Sequence, residues 1–328
     1  MWADRFLAFL GDRNDFVLVG HVSLDGDCVG SQIALYHVLR KLGRRVRIVN
    51  SDPLPHRFDF VSCADVFEAW DPARHEEVLR RAGGLCVLDV SEWGRLGEVG
   101  RAARAAKLES ACFDHHVIEE RVFDEYFWDS EASATGTLIA RIADELDLPM
   151  TQEMAEGVFI ALVSDTGWFV HDNTDSSAFR LAARLADTGL DTARIHRALY
   201  QRVDRSTMQL VARAAAEARF DVDGRLAWTR VTQEMAAGDP ARVEESDLAL
   251  GLLRSIDGVE VVVLLREIRP ETVQVSWRAC PGHDVQRIAA SFGGGGHRLA
   301  AGATLQGTLA DAEGAVLSRT RSILVQDT

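Results

Sequence analysis

Phe16-Val17-Leu18-Val19-Gly20-His21-Val22-Ser23-Leu24-Asp25-Gly26-Asp27 opens as an apolar, β-branched run of the kind buried on both faces of a parallel sheet. The run stops at His21, and from Cys28 to Leu42 a helical period places Ile33, Leu35, Tyr36, Val38 and Leu39 on one broad apolar face. The pattern then recurs. Arg45 to Asn50 reads as a second strand, Leu85-Cys86-Val87-Leu88 as a further one that stops at Asp89, and Ser110 to Phe113 as a shorter one leading into Asp114-His115-His116. Strands alternating with helical patterns imply βαβ units and a parallel sheet, whose ligands bind outside the carboxyl ends of the strands. His21, Asp25, Asp27, Asp89, Asp114, His115 and His116 all fall at such ends.

Further along, the pattern turns helical over 137–148, 152–163, 176–186, 192–200 and 206–218, with Ser164-Asp165-Thr166-Gly167 setting a carboxylate into an otherwise apolar helix. The Ala- and Arg-rich helices near Leu190 to Arg219 read as a connector, since no Pro- or Ser-rich linker is visible. Beyond them, 220–223 and 226–231 flank Asp223-Gly224, a hairpin turn signal. A helix over 247–256, strands over 259–266 and 272–278, a helix over 285–291, a glycine loop and a last helix from Ala310 complete the chain. The expected fold is α/β: residues 1–190 form a domain with a mainly parallel sheet flanked by helices, 191–218 a helical connector, and 219–328 a smaller mixed α/β domain.

A chain of 328 residues exceeds the usual size of one hydrophobic core, which agrees with two domains. Its 36 basic and 50 acidic residues give a net charge of −14, which repels polyanions and argues against a long nucleic acid as partner. An anionic substrate must be gathered locally, by metal or by a few arginines. Cys28, Cys63, Cys86, Cys112 and Cys280 are odd in number, widely spaced and free of any C-x-x-C pair, as in a reduced cytoplasmic chain. The N-terminus is too charged for a signal sequence and no apolar run reaches membrane-spanning length, so no membrane partner is expected.

Two divalent ions about 3.5–4 Å apart need a carboxylate placed to bridge them. Asp25 and Asp27 flank a glycine that lets the loop turn, so adjacent carboxylates can serve different ions. His21 and His115 supply nitrogens, Asp89 sits between as the bridge, and Asp165 completes the second ion. Mixed oxygen and imidazole ligands favour Mn²⁺ or Co²⁺ over Mg²⁺. A water activated between such ions is a nucleophile for in-line attack on phosphorus. Taken singly, Asp25 or Asp27 is adequately explained as a helix cap, Asp165 as a turn residue and His21 as a core histidine. Taken together, those readings leave the convergence on one sheet edge unexplained.

In the second domain Gly293-Gly294-Gly295-Gly296-His297 can expose successive N–H groups as an anion nest. On the preceding strand Ser276 and Arg278 share one face and Trp277 points to the other. Arg278 and His297 are expected in the cleft and Trp277 in the core, with base stacking as the alternative for Trp277.

The series His21-x-x-x-Asp25-Gly-Asp27, Asp89, Asp114-His115-His116, Asp165-Thr-Gly and Gly-Gly-Gly-Gly-His297 resembles the DHH phosphoesterase superfamily in its DHH/DHHA1 branch, nearest to bacterial nanoRNases that also hydrolyse pAp. The resemblance covers nearly the whole chain. It implies a catalytic DHH domain, a substrate-binding DHHA1 domain, and two Mn²⁺ ions, one at His21, Asp25 and Asp89 and the other at Asp27, Asp89, His115 and Asp165. It further implies that His116 contacts the scissile phosphate and assists protonation, that Asp114 orients the neighbouring imidazole, and that Arg278 and the glycine loop with His297 clamp substrate phosphate. Leu24 stands where the family commonly has proline, Gln274 where lysine is frequent and Ala279 where serine is frequent, which bears on substrate preference more than on hydrolysis.

The expected activity is hydrolysis of short oligoribonucleotides and linear dinucleotides such as pApA and pGpG to mononucleotides, together with 3′-phosphatase action on pAp. Members of the family are often dimers, so a homodimer is an expectation of the resemblance. Competing readings are a RecJ-like exonuclease on longer single strands, a cyclic-dinucleotide phosphodiesterase, an inorganic pyrophosphatase and a non-catalytic dinucleotide sensor. The length and charge leave no obvious room for a strand-binding channel. The glycine run and Arg278 argue against a pyrophosphatase, and a complete ligand set argues against a sensor.

Overall fold

The computed structural model describes residues 1–118 and 120–326, which fall into two compact units, Met1–Arg202 and Val203 onward. In chain order the first unit runs α1 (Trp2–Leu10), β1 (Asp15–Gly20), α2 (Gly26–Lys41), β2 (Arg45–Asn50), β3 (Phe67–Ala69), α3 (Pro72–Arg81), β4 (Gly84–Leu88), α4 (Gly97–Ala105), β5 (Ser110–Asp114), β6 (Glu125–Trp128), α5 (Thr135–Glu145), α6 (Gln152–Asp165), α7 (Ser176–Ala186) and α8 (Thr192–Tyr200). Its six strands are all parallel, in the order β3-β2-β1-β4-β5-β6.

The β1 side chains alternate between two cores. Leu18 packs with α1, α2, α5 and α6, whereas Val17 and Val19 pack with α3 and α4, so helices cover both faces. Strand order reverses between β1 and β4, and at such a switch point the connections leave in opposite directions and open a crevice at the carboxyl ends. A helix crossing closes that crevice from one side. A side chain at Gly30 of α2 would lie 2.4 Å from the Gly157 carbonyl of α6, and one at Gly157 would lie 2.6 Å from the Gly30 carbonyl. Only glycine at both positions lets the two backbones touch, and this contact brings the start of α2 toward the end of α6.

The second unit comprises α9 (Arg205–Ala216), β7 (Arg219–Asp221), β8 (Leu226–Val231), α10 (Pro240–Glu245), α11 (Leu248–Arg254), β9 (Val261–Arg269), β10 (Thr272–Ala279), α12 (Val285–Ser291), β11 (Gly295–His297), β12 (Ala300–Gln306) and α13 (Leu309–Gln326). The strands form one mixed sheet ordered β11-β12-β10-β9-β8-β7, in which only the β8–β9 pairing is parallel. One face, with Val273, Val275 and fully buried Trp277, packs on α12 and α13. On the other face Ala227, Val262 and Leu264 pack with α9 and α11. Trp277 donates its indole N–H to Thr320 Oγ1 at 3.1 Å, which settles it in the core rather than on a stacking platform.

The segment expected as a connector divides between the units, with α8 ending the first and α9 opening the second. The expected glycine loop also differs. Gly295, Gly296 and His297 form β11, which pairs antiparallel with β12. Close approach explains two of the glycines, since a Cβ at Gly294 would lie 2.1 Å from the Gly302 carbonyl and one at Gly296 would lie 2.6 Å from the Ala300 carbonyl. No helix among the described residues is long and apolar enough to cross a membrane.

Candidate metal centre

At the switch point the ends of β1, β4 and β5 and the facing ends of α2 and α6 deliver the acidic and imidazole groups singled out in the sequence. His21 follows β1 directly, and its Nδ1 lies 2.8 Å from the Val22 carbonyl. That contact leaves Nε2 facing Asp89 Oδ2 at 3.5 Å and Asp25 Oδ2 at 3.6 Å. Burial disfavours the charged ring, yet hydrogen bonding and attraction to Asp25 and Asp89 outweigh it and push the pKa up to about 10.

Asp25 does two things at once. Its Oδ1 accepts from the Cys28 amide at 3.0 Å as the N-cap of α2, while Oδ2 turns to His21. The capping and ligand readings are therefore compatible. Asp27, the second residue of α2, caps a different helix: Oδ2 accepts from the Thr135 amide at 2.6 Å and Oδ1 from the Gly136 amide at 3.1 Å. Ser31 Oγ adds a bond to Asp27 Oδ1 at 2.9 Å.

Asp89 follows β4 in a left-handed backbone conformation, φ 62°, its amide donating to the Phe113 carbonyl at 2.8 Å. A non-glycine residue there costs roughly 1–3 kcal/mol and is commonly held at sites that need a particular side-chain direction. The direction is evident. Oδ2 faces His21, whereas Oδ1 faces His115 Nε2 at 3.9 Å and His116 Nδ1 at 3.6 Å and accepts from Thr135 Oγ1 at 3.1 Å. Burial, then the nearby Asp27 charge, drives its pKa well above the carboxylate range.

The two histidines after β5 part company. His115 donates Nδ1–H to the Ala132 carbonyl at 2.9 Å, which turns Nε2 toward Asp165 Oδ2 at 3.4 Å and Asp27 Oδ2 at 3.5 Å. His116 instead places Nδ1 at 2.7 Å from Asp114 Oδ1, which also accepts the His116 amide at 3.1 Å. Burial would raise the Asp114 pKa, but the bond from His116 prevails and lowers it. Trp128 donates its indole N–H to the His116 carbonyl at 2.6 Å and steadies the turn. Asp165, the last residue of α6, has its pKa raised to about 7 by burial and by the Asp27 charge.

Whether these residues suit a cation is answered by their own chemistry. His115 Nε2 is buried and has no hydrogen-bond partner among the described residues, although carboxylate oxygens surround it. His21 and His115 both use Nδ1 on a backbone carbonyl, the tautomer that presents Nε2 as a lone pair. Three groups of side chains could each hold an ion: His21, Asp25 and Asp89; Asp27, His115 and Asp165; and Asp89, His115 and His116. The donor set fits divalent metal.

The residues of the second unit lie apart in sequence but in line across the sheet. Arg278 pairs with Ala300, which pairs with His297; Ser276 pairs with Gly302, which pairs with Gly295. Directly opposed residues share a face, so Arg278 and His297 stand on one face with alanine and glycine between them, two strand spacings or about 10 Å apart. Arg278 is half-buried, donates to the Trp277 carbonyl at 2.9 Å, and makes no ion pair among the described residues. Burial lowers its pKa from the ordinary arginine value. Ser276 Oγ is occupied, accepting from Arg266 at 2.7 Å, while Arg266 pairs with Asp247 at 2.8 Å. Gly293 has φ 74°, and with Gly294 it joins α12 to β11.

Sequence reasoning passed over Thr135, Gly136, Ser31, Asn173 and the Ala132 carbonyl. One signal was present: the N-cap of α5 is Ala134, whose side chain cannot cap a helix, so an acceptor had to come from elsewhere.

A parallel sheet with three metal-capable groups at its switch point defines the class, a metal-assisted hydrolase. The profile of the DHH family N-terminal domain matches residues 15–162, and that of the DHHA1 domain matches residues 230–325. A Thermus thermophilus protein described as "Bifunctional oligoribonuclease and PAP phosphatase NrnA" is 33% identical over 287 residues, covering 88% of this chain and 83% of that protein. A Bacillus subtilis protein of the same description is 24% identical over 292 residues, 88% of each chain. The crystal structure of an exopolyphosphatase-related protein from Bacteroides fragilis superposes with a TM-score of 0.90 at 24% identity, covering 98% of this chain and 95% of that one, and shares the fold. The chain belongs to the DHH family of phosphoesterases, with a DHHA1 domain as its second part.

Proposed function

We propose that this protein is a Mn²⁺-dependent phosphodiesterase that hydrolyses short oligoribonucleotides, including linear dinucleotides such as pApA and pGpG, to mononucleotides, and that it removes the 3′-phosphate of pAp. The observation that carries this reading is Asp89, whose two oxygens face different groups, His21 on one side and His115 and His116 on the other. A carboxylate so placed is suited to serve two neighbouring ions, an arrangement used for in-line displacement at phosphorus. The relatives named as oligoribonucleases and PAP phosphatases support the substrate class.

His21, Asp25 and Asp89 would hold one ion, and Asp27, Asp89, His115 and Asp165 the other. When bound, such a pair supplies an activated water and offsets the charge that develops on phosphorus. The chain does the rest. With Nδ1 held by Asp114, His116 uses Nε2 to bind the scissile phosphate and pass a proton to the leaving oxygen. Arg278, a half-buried guanidinium that makes no ion pair among the described residues, would grip a terminal phosphate, with Ser276, the Gly293 to Gly296 run and His297 beside it.

The test is a time course with Mn²⁺ on pApA, pGpG, pAp, a five-mer and a twenty-mer. Two-mers and pAp are expected to be consumed well before the twenty-mer. The opposite order, or faster turnover of pyrophosphate than of any nucleotide, would sink the proposal.

A further inference from the structure

The short stretch Ala132 to Gly136, which leads into α5, bonds three of the four ligands proposed for one ion, His115, Asp27 and the shared Asp89, and reaches the fourth, Asp165, through Asn173. The Ala132 carbonyl accepts from His115 at 2.9 Å. Ser133 and Asn173 bind each other through Ser133 Oγ to the Asn173 carbonyl at 2.8 Å and Asn173 Nδ2 to the Ser133 carbonyl at 3.1 Å, and Asn173 Nδ2 also donates to Asp165 Oδ2 at 3.2 Å. Thr135 and Gly136 give their amides to Asp27, and Thr135 Oγ1 donates to Asp89 Oδ1 at 3.1 Å. Thr135 thus bonds Asp27 and Asp89 at once, and it is fully buried.

The chemistry of that position is specific. Asp27 and Asp89 raise each other's energy when both are ionised, and a buried carboxylate is free to swing about its last torsion unless something pins it. A lysine or arginine there would pin both but would also neutralise them and compete with a cation. A threonine gives each carboxylate a hydrogen bond and carries no charge. Its hydroxyl proton goes to Asp89 Oδ1, which fixes the direction of both Asp89 oxygens. Its amide, at the start of α5, lends Asp27 the partial positive charge of a helix N-terminus.

We propose that Thr135 is a positioning residue that couples the two metal-holding groups, its amide fixing Asp27 in one and its hydroxyl fixing the carboxylate shared between them. The inference rests on the two-ion reading given above. Thr135→Val keeps the shape and the amide but deletes the hydroxyl, and Thr135→Ser keeps the hydroxyl.

The experiment is calorimetric titration of the metal-free full-length protein with Mn²⁺, with circular-dichroism melts of each metal-free variant as a fold control. Wild type is expected to take up two ions. In Thr135→Val at least one of them should bind about 10- to 100-fold more weakly, the scale of losing an outer-shell partner, while Thr135→Ser stays close to wild type. Should the valine variant not fold, Thr135→Ala takes its place. Wild-type affinities in the folded valine or alanine variant overturn the proposal, and so does a serine variant as weak as valine. A wild type that takes up no Mn²⁺ removes the two-ion reading itself, a result visible before any variant is compared.

Discussion

In the first unit the reactive side chains come from β1, α2, β4, β5 and α6, far apart in sequence, and converge until carboxylate and imidazole atoms lie within 4 Å. In the second unit Ser276 and Arg278 on β10 and His297 on β11 share one sheet face, with the alanine and glycine of β12 between the two strands. The first arrangement is tightly tied: most of its polar atoms have a partner that fixes their direction, and among the described residues His115 Nε2, which faces Asp27 and Asp165, and Asp114 Oδ2 are buried without one. The second is less tied, the Arg278 guanidinium donating to one carbonyl among the described residues. A preorganised site stabilises charge that develops during reaction, whereas an open one gains its contacts only when a ligand arrives. Substitutions should therefore act on turnover in one region and on affinity in the other.

The sharpest test of that division is Asp89→Ala. Hydrolysis of every substrate should fall on the order of 10³-fold, the scale of removing a preorganised electrostatic group, while binding of an uncleaved dinucleotide analogue is largely kept. Equal loss of both would break the comparison. Next in size is Arg278→Ala: removing a charged hydrogen bond worth roughly 1.5–3 kcal/mol should raise KM about 10- to 100-fold, with Mn²⁺ uptake unchanged in calorimetry. A fall in kcat with KM untouched would place Arg278 in the chemistry instead.

Gly294→Ala probes the glycine run. Its methyl would press on the Gly302 carbonyl and on Ala303, so thermal unfolding should register a loss of about 1–3 kcal/mol, again without effect on metal uptake. The smallest effect concerns pH. Asp165 has its pKa raised from 3.8 to about 7, so its contribution to the metal-free fold is present below 3.8 and is lost as pH rises toward 7. Melting temperatures of metal-free wild type should thus decline more across that window than those of Asp165→Asn. Parallel curves would show that Asp165 does not titrate there.

How far the sequence foretold this molecule depended on what each residue contributes. The main strands and their polar ends were legible because burial on both sheet faces writes continuous apolar runs, each broken by a polar residue where the strand leaves the core. β3 was not, since Phe67-Glu68-Ala69 is too short to show a period and is set by pairing with β2. Asp25 looked like a choice between cap and ligand because sequence cannot show that a carboxylate's two oxygens point to different tasks. β11 was hidden behind glycine, which has no strand preference of its own, and only its register with β12 makes it extended. Thr135 acts through an amide and a hydroxyl that any helix start offers, so its type said nothing; the uncapped Ala134 beside it did.

The left-handed backbone of Asp89 has a consequence for anyone engineering this chain. Glycine would relieve the strained φ and remove a buried carboxyl whose ionised form burial and Asp27 disfavour, so Asp89→Gly is expected to make the metal-free protein harder to melt. Directed evolution scored on thermal resistance alone would reward that change and collect inert variants. A library built from this chain has to be screened for turnover at every round.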